Sequence, residues 1–357
     1  MSATTVTAEP PLAPANGQPE KPIRGSVIAL RVLGLLIALA VLLFVMLVSI
    51  AVGAKPIPLS GVVHALFDGL DTVNGVVVLD LRLPRTLLGV AVGAALALAG
   101  VLMQAMTRNP LADPGILGVN IGASTAVVLA IWIWRFTDLT AYVWFAFLGA
   151  GMASVLVYLL GSRGRSGATP VRLALAGTVI SAVLGSLISF VTLLNPAVFD
   201  QFRFWGVGSL SGVRLSIFWQ VLPFLAVGAL LALGLSGALN ALALGDATAR
   251  ALGSNITRTR VLGAVAVTLL CGAATAALGP IGFIGLTIPH IARLITGPDH
   301  RWLLPYSMVL GPILLLSSDI LGRVVARPGE IQVGIVTAVV GAPVFIALVR
   351  RRRIPEL

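Results

Sequence analysis

The sequence predicts an all-α, polytopic membrane protein with about ten transmembrane helices. Of its 357 residues, 58% are hydrophobic and 10% are charged, whereas soluble domains are roughly 45–50% apolar and about 25% charged. Mostly apolar stretches recur at about the 20-residue length that crosses a bilayer. Ten such stretches lie near residues 28–52, 86–107, 115–134, 141–161, 171–194, 217–236, 261–279, 282–296, 303–322 and 331–349. The seventh and eighth meet at Gly279-Pro280, where one long broken helix is the alternative.

Composition divides the chain into three segments. Residues 1–27 are rich in Ala, Pro and Thr and show no short apolar core with a cleavage site. We therefore expect a disordered cytoplasmic tail there, and not a signal peptide. Residues 28–350 form the predicted transmembrane domain, and residues 351–357 form a short basic C-terminal tail.

The distribution of positive charge predicts the orientation in the membrane. With the N-terminus in the cytoplasm, the cytoplasmic segments hold twice as many Lys and Arg residues as the outer segments. Membrane proteins carry their excess of Lys and Arg in cytoplasmic loops. We therefore expect an even number of spans in the plasma (inner) membrane, with both termini in the cytoplasm.

The composition also argues against several functions. The formal net charge is +11, but the basic residues stand singly or in short groups. Nucleic-acid binding would require them on one face with aromatic residues between them, so no nucleic-acid partner is predicted. Cys271 and three scattered histidines offer no metal-ligand or disulfide spacing. No metal, cofactor or catalytic group is predicted.

The chain lacks the sequence of an ATP-binding loop. Such a loop places a lysine directly after a glycine to reach the phosphates, and neither Lys21 nor Lys55 follows a glycine. An ion-coupled carrier usually has ionisable residues within its spans; here only His290 and Asp319 come close to the membrane interior. We expect a transport subunit that is not itself an enzyme, with ATP hydrolysed by a partner.

A short helix is predicted between the sixth and seventh apolar stretches, over residues 246–253. Asp246 is a favourable N-cap, and Gly253 stands where a helix would end in the left-handed conformation. A capped two-turn helix in a cytoplasmic loop is suited to insertion into a groove of a soluble partner. The alternative is an ordinary connector at the membrane interface.

Arginines before the second stretch and before the last one fall on the predicted outer side. Arg82 and Arg85 are three residues apart and share one face if the chain is helical there. Arg323 adds positive charge from the loop before the last span. Exposed arginines of this kind steer an acidic partner. The alternative is that they anchor helix ends at the membrane surface.

Several motifs then follow one another along the chain. They are LRLPR at 81–85, GAALALAG at 93–100, Gln104, NPLADPGILG at 109–118, residues 245–253, GPIGFIGL at 279–286, Pro289, His290, Arg293, Ser318, Asp319 and GAPVF at 341–345. In this order they resemble the FecCD-type permeases, the membrane subunits of iron-siderophore, haem and cobalamin ABC importers. The resemblance covers about residues 28–350.

The resemblance implies a ten-helix subunit with the type II ABC importer permease fold, paired with a second copy or a paralogue. It further implies two ATP-binding cassette ATPase subunits below the membrane and a substrate-binding lipoprotein or periplasmic protein above it. The residues implied in ATPase coupling are Asp246, Ala249, Arg250, Leu252 and Gly253. Those implied in docking of the binding protein are Arg82, Arg85 and Arg323.

The expected cargo is a ferric siderophore, and cobalamin and haem are the alternatives with the same fold. A pathway lined by small apolar residues does not encode the cargo. The sequence leaves open whether two identical permeases or two different ones pair.

Overall fold

The computed structural model describes residues 23–53, 57–68, 73–136, 139–163 and 170–350. Within these ranges the secondary structure is helical, without strands. The first eight α-helices are α1 (Ile23–Ala51), α2 (Leu59–Asp68), α3 (Val73–Val76), α4 (Leu83–Thr107), α5 (Val119–Trp134), α6 (Leu139–Ser162), α7 (Pro170–Leu194) and α8 (Pro196–Gly206). The next seven are α9 (Leu215–Gly234), α10 (Ser236–Ala243), α11 (Asp246–Ala251), α12 (Ile256–Leu278), α13 (Ile284–Thr296), α14 (His300–Val325) and α15 (Val333–Arg350).

The predicted fold class is confirmed, and the helices of the described residues are roughly consistent with the predicted number of spans. Seven of the described helices are long and apolar enough to cross a membrane. Three shorter apolar helices, α5, α13 and α15, coincide with the other predicted stretches. Gly279, at the end of α12, has a positive φ of 79°. The chain leaves α12 there and starts α13 at Ile284, so the seventh and eighth stretches are separate helices.

The predicted tails fall largely outside the described residues. Residues 1–22 and 351–357 are not among them. Helix α1 begins at Ile23, a few residues before the predicted boundary of the transmembrane domain.

Helix α4 is the central helix of the bundle. It packs against α14, α12, α13 and α9, and most of its residues are buried. The sequence of α4 permits this burial because small residues line it, and small residues let helix backbones approach closely in lipid. A Cβ atom on Gly93 would lie 2.7 Å from the backbone of Pro312, and one on Gly100 would lie 1.9 Å from the carbonyl oxygen of Gly285.

The bundle has two ends that carry the candidate sites. At the first, which we call the arginine end, α1 and α14 finish and α4 begins, preceded by a π-helical segment, Val77–Arg82. At the second, the connector end, α4 finishes, α12 and α14 begin, and the short helix α11 lies beside them. Helix α4 therefore reaches from one end to the other.

We expect alanine in place of Gly93 or Gly100 to separate α4 from its neighbours. Forcing a methyl group into a packed contact typically costs about 1–3 kcal/mol. The measurement is the thermal unfolding of the purified chain in detergent, and both variants should unfold at a lower temperature than the wild type.

Gly151→Ala in α6 is the matched control, because a Cβ atom there meets nothing within 4 Å. Alanine is favoured over glycine inside a helix by roughly 0.5–1 kcal/mol, so this variant should be neutral or slightly more stable. Equal unfolding temperatures for all three variants would contradict the close packing of α4.

Candidate functional sites at the two ends of the bundle

A buried carboxylate organises the arginine end. The Nη2 of Arg85 donates to Oδ1 of Asp319 at 2.7 Å, and the Nε of Arg85 lies 3.0 Å from Oδ2. The Nη2 of Arg323 lies 2.9 Å from Oδ2 of the same carboxylate. The Asp319 side chain is fully buried. A charge in such a place requires ionic or hydrogen-bonded partners, and the two guanidinium groups supply them.

The arginine end also supplies hydrogen bonds to the last turn of α1. The Nη1 of Arg82 donates to the carbonyl oxygens of Ile50 and Ala51 at 2.9 and 2.7 Å. The Nη1 of Arg323 donates to those of Ser49 and Val52 at 2.9 and 2.8 Å. The last carbonyls of a helix have no partner within the helix and carry partial negative charge. The two arginines therefore join the end of α1 to α4 and α14.

The three arginines predicted for docking lie together, but two of them point into the protein. Arg82 is 5% exposed and Arg323 is 2% exposed. Arg85 retains an outward contact, because its Nη1 donates to Oε2 of the partly exposed Glu330 at 2.8 Å. Arg85 is therefore the member of this group that has an ion pair at the surface of the protein.

At the connector end, α11 has the predicted position but a different start. Gly245, with a φ of 100°, occupies the N-cap position, and no side chain caps the helix. The prediction that Asp246 caps α11 is wrong, because Asp246 is the first helical residue and its carboxylate is turned to other groups. Gly253 adopts the predicted left-handed conformation, with a φ of 80°.

The Asp246 carboxylate joins α11 to two long helices. Oδ1 accepts a hydrogen bond from Nη2 of Arg108, at the C-terminal end of α4. Both carboxylate oxygens accept from Nη2 of Arg260 in α12, at 3.2 and 3.1 Å. Arg108 and Arg260 were not among the predicted coupling residues. Nothing in a single sequence shows that residues 138 and 14 positions from Asp246 share its carboxylate.

Of the other predicted coupling residues, some pack inside the protein and others lie at its surface. Ala249 is buried and packs with Leu242 and Ile256. Arg250 is exposed, and Leu252 is 62% exposed. The outer side of this segment thus presents an aliphatic and a basic side chain.

Residues 109–118 form the turn between α4 and α5. The Asn109 side chain accepts from the backbone N–H of Leu111 at 2.9 Å, and that of Asp113 accepts from Gly115 at 2.7 Å. Burial raises the pKa of the Asp113 carboxyl, although the bond from Gly115 acts in the opposite direction. These two side chains therefore shape the backbone of the turn.

Gln104 and Arg293 form a second buried polar contact, between α4 and α13. Pro289 has no N–H, so the carbonyl of Gly285 four residues earlier lacks its helical donor. The Nε2 of Gln104 lies 3.3 Å from that carbonyl oxygen and 3.3 Å from that of Leu286. The Oε1 of Gln104 accepts from Nη2 of Arg293 at 2.7 Å. A glutamine and an arginine inside apolar stretches were the sequence signal for this contact.

Among the described residues, no group of three or more His, Cys, Asp or Glu side chains is arranged to hold a metal ion. The polar groups on both sites are arginines, carboxylates and amides.

Comparison with known proteins agrees with this architecture. Residues 41–351 match the FecCD transport family. The chain is 50% identical to the ferric enterobactin transport system permease protein FepD of Escherichia coli (strain K12), over 92% of this chain and 98% of that protein. It is 42% identical to the Fe(3+)-citrate import system permease protein YfmD of Bacillus subtilis (strain 168), over 90% and 96%.

A solved structure of a metal-chelate type ABC transporter in an inward-facing conformation is also similar. Its TM-score is 0.78 and its sequence identity is 29%, with 88% of this chain and 98% of that chain covered.

Replacing Asp319 by Asn should destabilise the protein strongly. The substitution leaves the guanidinium groups of Arg85 and Arg323 without their shared carboxylate, and removing one partner of a buried pair typically costs about 3–5 kcal/mol. Thermal unfolding in detergent should show a large decrease in the unfolding temperature.

Glu330→Gln is the control for the loss of one negative charge at the same end. Its side chain is 29% exposed, so it should change stability by less than about 1 kcal/mol. Equal stability of the two variants would show that Asp319 is not the group that holds these helices together.

Proposed function

We propose that this chain, which belongs to the FecCD transport family, is the membrane-spanning permease subunit of an ATP-driven importer of ferric siderophores. The observation that carries the proposal is the 50% identity to a ferric enterobactin permease along nearly the full length of both chains. Among the described residues, seven helices long enough to cross a membrane and three shorter apolar helices supply the membrane-spanning unit that this function requires.

Haem and cobalamin are the alternative cargoes. A hemin transport permease of Yersinia pestis is 38% identical over 77% of this chain, which is less similar than the ferric enterobactin and ferric citrate permeases. The similarity to ferric-chelate permeases therefore favours a ferric siderophore.

An ion-coupled carrier is a less suitable function for this chain. Asp319 is one of the two ionisable residues that the sequence places closest to the membrane interior, and it is held by Arg85 and Arg323. A carboxylate that takes up and releases a proton or a sodium ion during transport would have to leave both partners.

The importer that we propose has four further kinds of contact. Two ATP-binding cassette ATPase subunits hydrolyse ATP, and a second permease copy or a paralogue completes the translocation pathway. A substrate-binding lipoprotein or periplasmic protein delivers the chelate. Lipid surrounds the remaining apolar surface, including the exposed apolar side chains of α1 and α7.

The proposed orientation places both termini and the connector end in the cytoplasm. The sequence supports it, because this arrangement puts most Lys and Arg residues inside. The ATPase then meets α11, where Leu252 and Arg250 face outward from the bundle. We propose that residues 246–253 form the coupling element between ATPase and permease.

The arginine end then faces the binding protein. We propose that an acidic side chain of that protein binds Arg85 by replacing Glu330, since Glu330 is partly exposed and Asp319 is not. Arg82 and Arg323 fix the groups around Arg85. Both donate to carbonyl oxygens at the end of α1, and Arg323 also binds Asp319. Their charges also add to the positive potential that steers an acidic partner.

The proposed function is tested by measuring the uptake of radioactive iron in cells with and without this gene. The iron is presented as complexes with a panel of siderophores. We expect the gene to restore uptake of one class of ferric chelate in the deleted strain. Unchanged iron uptake together with lost haem or cobalamin uptake would assign the cargo to an alternative. Transport by the purified chain alone along a proton or sodium gradient would contradict the ATP-driven function.

The docking proposal predicts opposite effects for two substitutions. Glu330→Gln removes the internal competitor for Arg85 and should tighten binding of the binding protein by about two- to fivefold, the range expected for one exposed ion pair. Arg85→Gln should weaken binding. The measurement is the dissociation constant for the binding protein and this permease in lipid nanodiscs.

Arg203→Gln in α8 is the control, because Arg203 is an exposed arginine whose partner, Asp200, lies on the same helix. It should leave docking unchanged. Equal weakening by Arg203→Gln and Arg85→Gln would mean that only the net charge of this end matters.

A further inference from the structure

The short helix α11 has two kinds of attachment to the bundle. Ala249 packs with Leu242 and Ile256, which belong to the neighbouring elements in the chain, α10 and α12. The Asp246 carboxylate adds ion pairs to Arg260 in α12 and to Arg108 at the end of α4. The pair with Arg108 thus connects α11 to a helix far away in the sequence, and that helix is the centre of the bundle.

The conformation of Arg108 is a second, independent observation. Arg108 ends α4 with a φ of 49° and a ψ of 36°, in the left-handed region. Glycine and asparagine are the usual residues there, and a longer side chain is strained. An arginine is thus present where the backbone favours glycine. Its guanidinium group reaches the Asp246 carboxylate, a contact that a glycine at this position could not make.

The end of α4 is in turn bonded to the interior. The backbone N–H of Arg108 donates to the carbonyl oxygen of Ala105, and that of Asn109 donates to the carbonyl oxygen of Gln104. The Gln104 side chain binds Arg293 and two carbonyls of α13. A displacement of Arg108 therefore acts on the turn of α4 that holds α13.

We propose that Asp246, Arg108 and Arg260 form an ionic clip that passes the movement of α11 to α4 and α12 during the ATPase cycle. The proposal rests on the coupling role that we propose for α11. The three residues are positioning residues, because the role that we propose for them is to pass on movement and not to bind the cargo. Their side chains are 31%, 38% and 23% exposed, respectively, so the clip adds little to stability and is sensitive to salt.

The test uses the assembled transporter, purified through a tag on this chain and reconstituted in proteoliposomes. ATP hydrolysis is measured together with uptake of radio-iron-labelled ferric enterobactin, or of the chelate in the panel that the wild type imports, and the ratio of uptake to hydrolysis is the readout. In Arg108→Gly, which breaks one ion pair of the clip, we expect the amount of chelate imported per ATP to fall by about two- to fivefold, the range for one exposed ion pair. Asp246→Asn breaks both pairs and should lower this amount at least as much. Asp246→Glu should retain most of the wild-type ratio.

Arg108→Gly separates the clip from a merely structural role. Because glycine suits the left-handed conformation, this variant should unfold at the wild-type temperature or above it, while its coupling ratio falls. The double variant Asp246→Asn/Arg108→Gly should be no worse than the poorer single variant, since both remove the same contact. Additive losses would contradict a shared contact.

Ionic strength gives a further readout. Raising it from about 0.1 M to about 0.5 M shortens the range of charge interactions. The wild-type ratio of uptake to hydrolysis should therefore fall toward that of the variants, and the ratio of the variants should change little. Asp200→Asn is the matched control, because it breaks an exposed pair with Arg203 at the arginine end and should keep the wild-type ratio and its salt dependence.

Distance measurements between spin labels test the movement directly. Cys271 is the single native cysteine and is 1% exposed, so labels can be confined to cysteines placed at the exposed positions Leu111 and Leu252. In the wild type, ATP should move the two labelled segments in concert, so that the distance between the labels keeps a narrow distribution. In Asp246→Asn the distribution of distances should broaden.

The outcomes separate the clip from the proposed function. A wild-type transporter that hydrolyses ATP but imports none of the chelates in the panel would overturn the proposed function and the clip with it. Replacement of residues 246–253 by a Gly/Ser linker should abolish coupled uptake. If the linker uncouples the transporter but Asp246→Asn and Arg108→Gly keep the wild-type ratio, the coupling role stands and the clip is overturned.

Discussion

The close approach of α4 to α13 and α14 is the constraint on which the rest of the structure depends. In lipid, apolar burial gives no drive for helices to associate, so helices are held by close packing and by hydrogen bonds between them. Gly93 and Gly100 bring the backbone of α4 against Pro312 and Gly285. At this distance the Gln104 side chain reaches the carbonyl that Pro289 leaves without a donor. Gly100 and Gln104 on α4 and Pro289 on α13 thus form one interface.

The same helix connects the two candidate sites. Its first turn carries Arg85, which binds the buried Asp319, and its C-terminal end carries Arg108, which binds Asp246. The two ion pairs differ in the consequence of losing them. Asp319 is fully buried, so its partners hold the fold together. Asp246 is partly exposed, so its pairs can change during a transport cycle without unfolding the bundle.

The arginine end also shows why charge counted along a sequence differs from charge available at a surface. Arg82 and Arg323 are occupied by the last carbonyls of α1. A sequence does not distinguish an arginine that anchors a helix end from an arginine that lies at the surface. Burial separates them: Arg82 and Arg323 are enclosed, whereas Arg85 also pairs with the partly exposed Glu330.

The sequence alone determined the fold class, the approximate positions of ten apolar helices and the resemblance to a transport family. It could do so because hydrophobicity over about 20 residues is a local property of the chain, and because Gly253 and Gly279 mark helix ends by their own backbone preferences. The position of α11 was predictable for the same reason. Its N-cap was not, because Gly245 takes that position and the Asp246 carboxylate binds arginines of two other helices.

Tertiary structure alone decided which polar groups on different helices meet. Asp319 and Arg85 are 234 residues apart, and Gln104 and Arg293 are 189 apart, so no local pattern links either pair. Only the packing of α4 against α13 and α14 brings them within hydrogen-bond distance. Ionic and hydrogen-bonded contacts depend on distances of about 3 Å, which the order of residues along a chain does not contain.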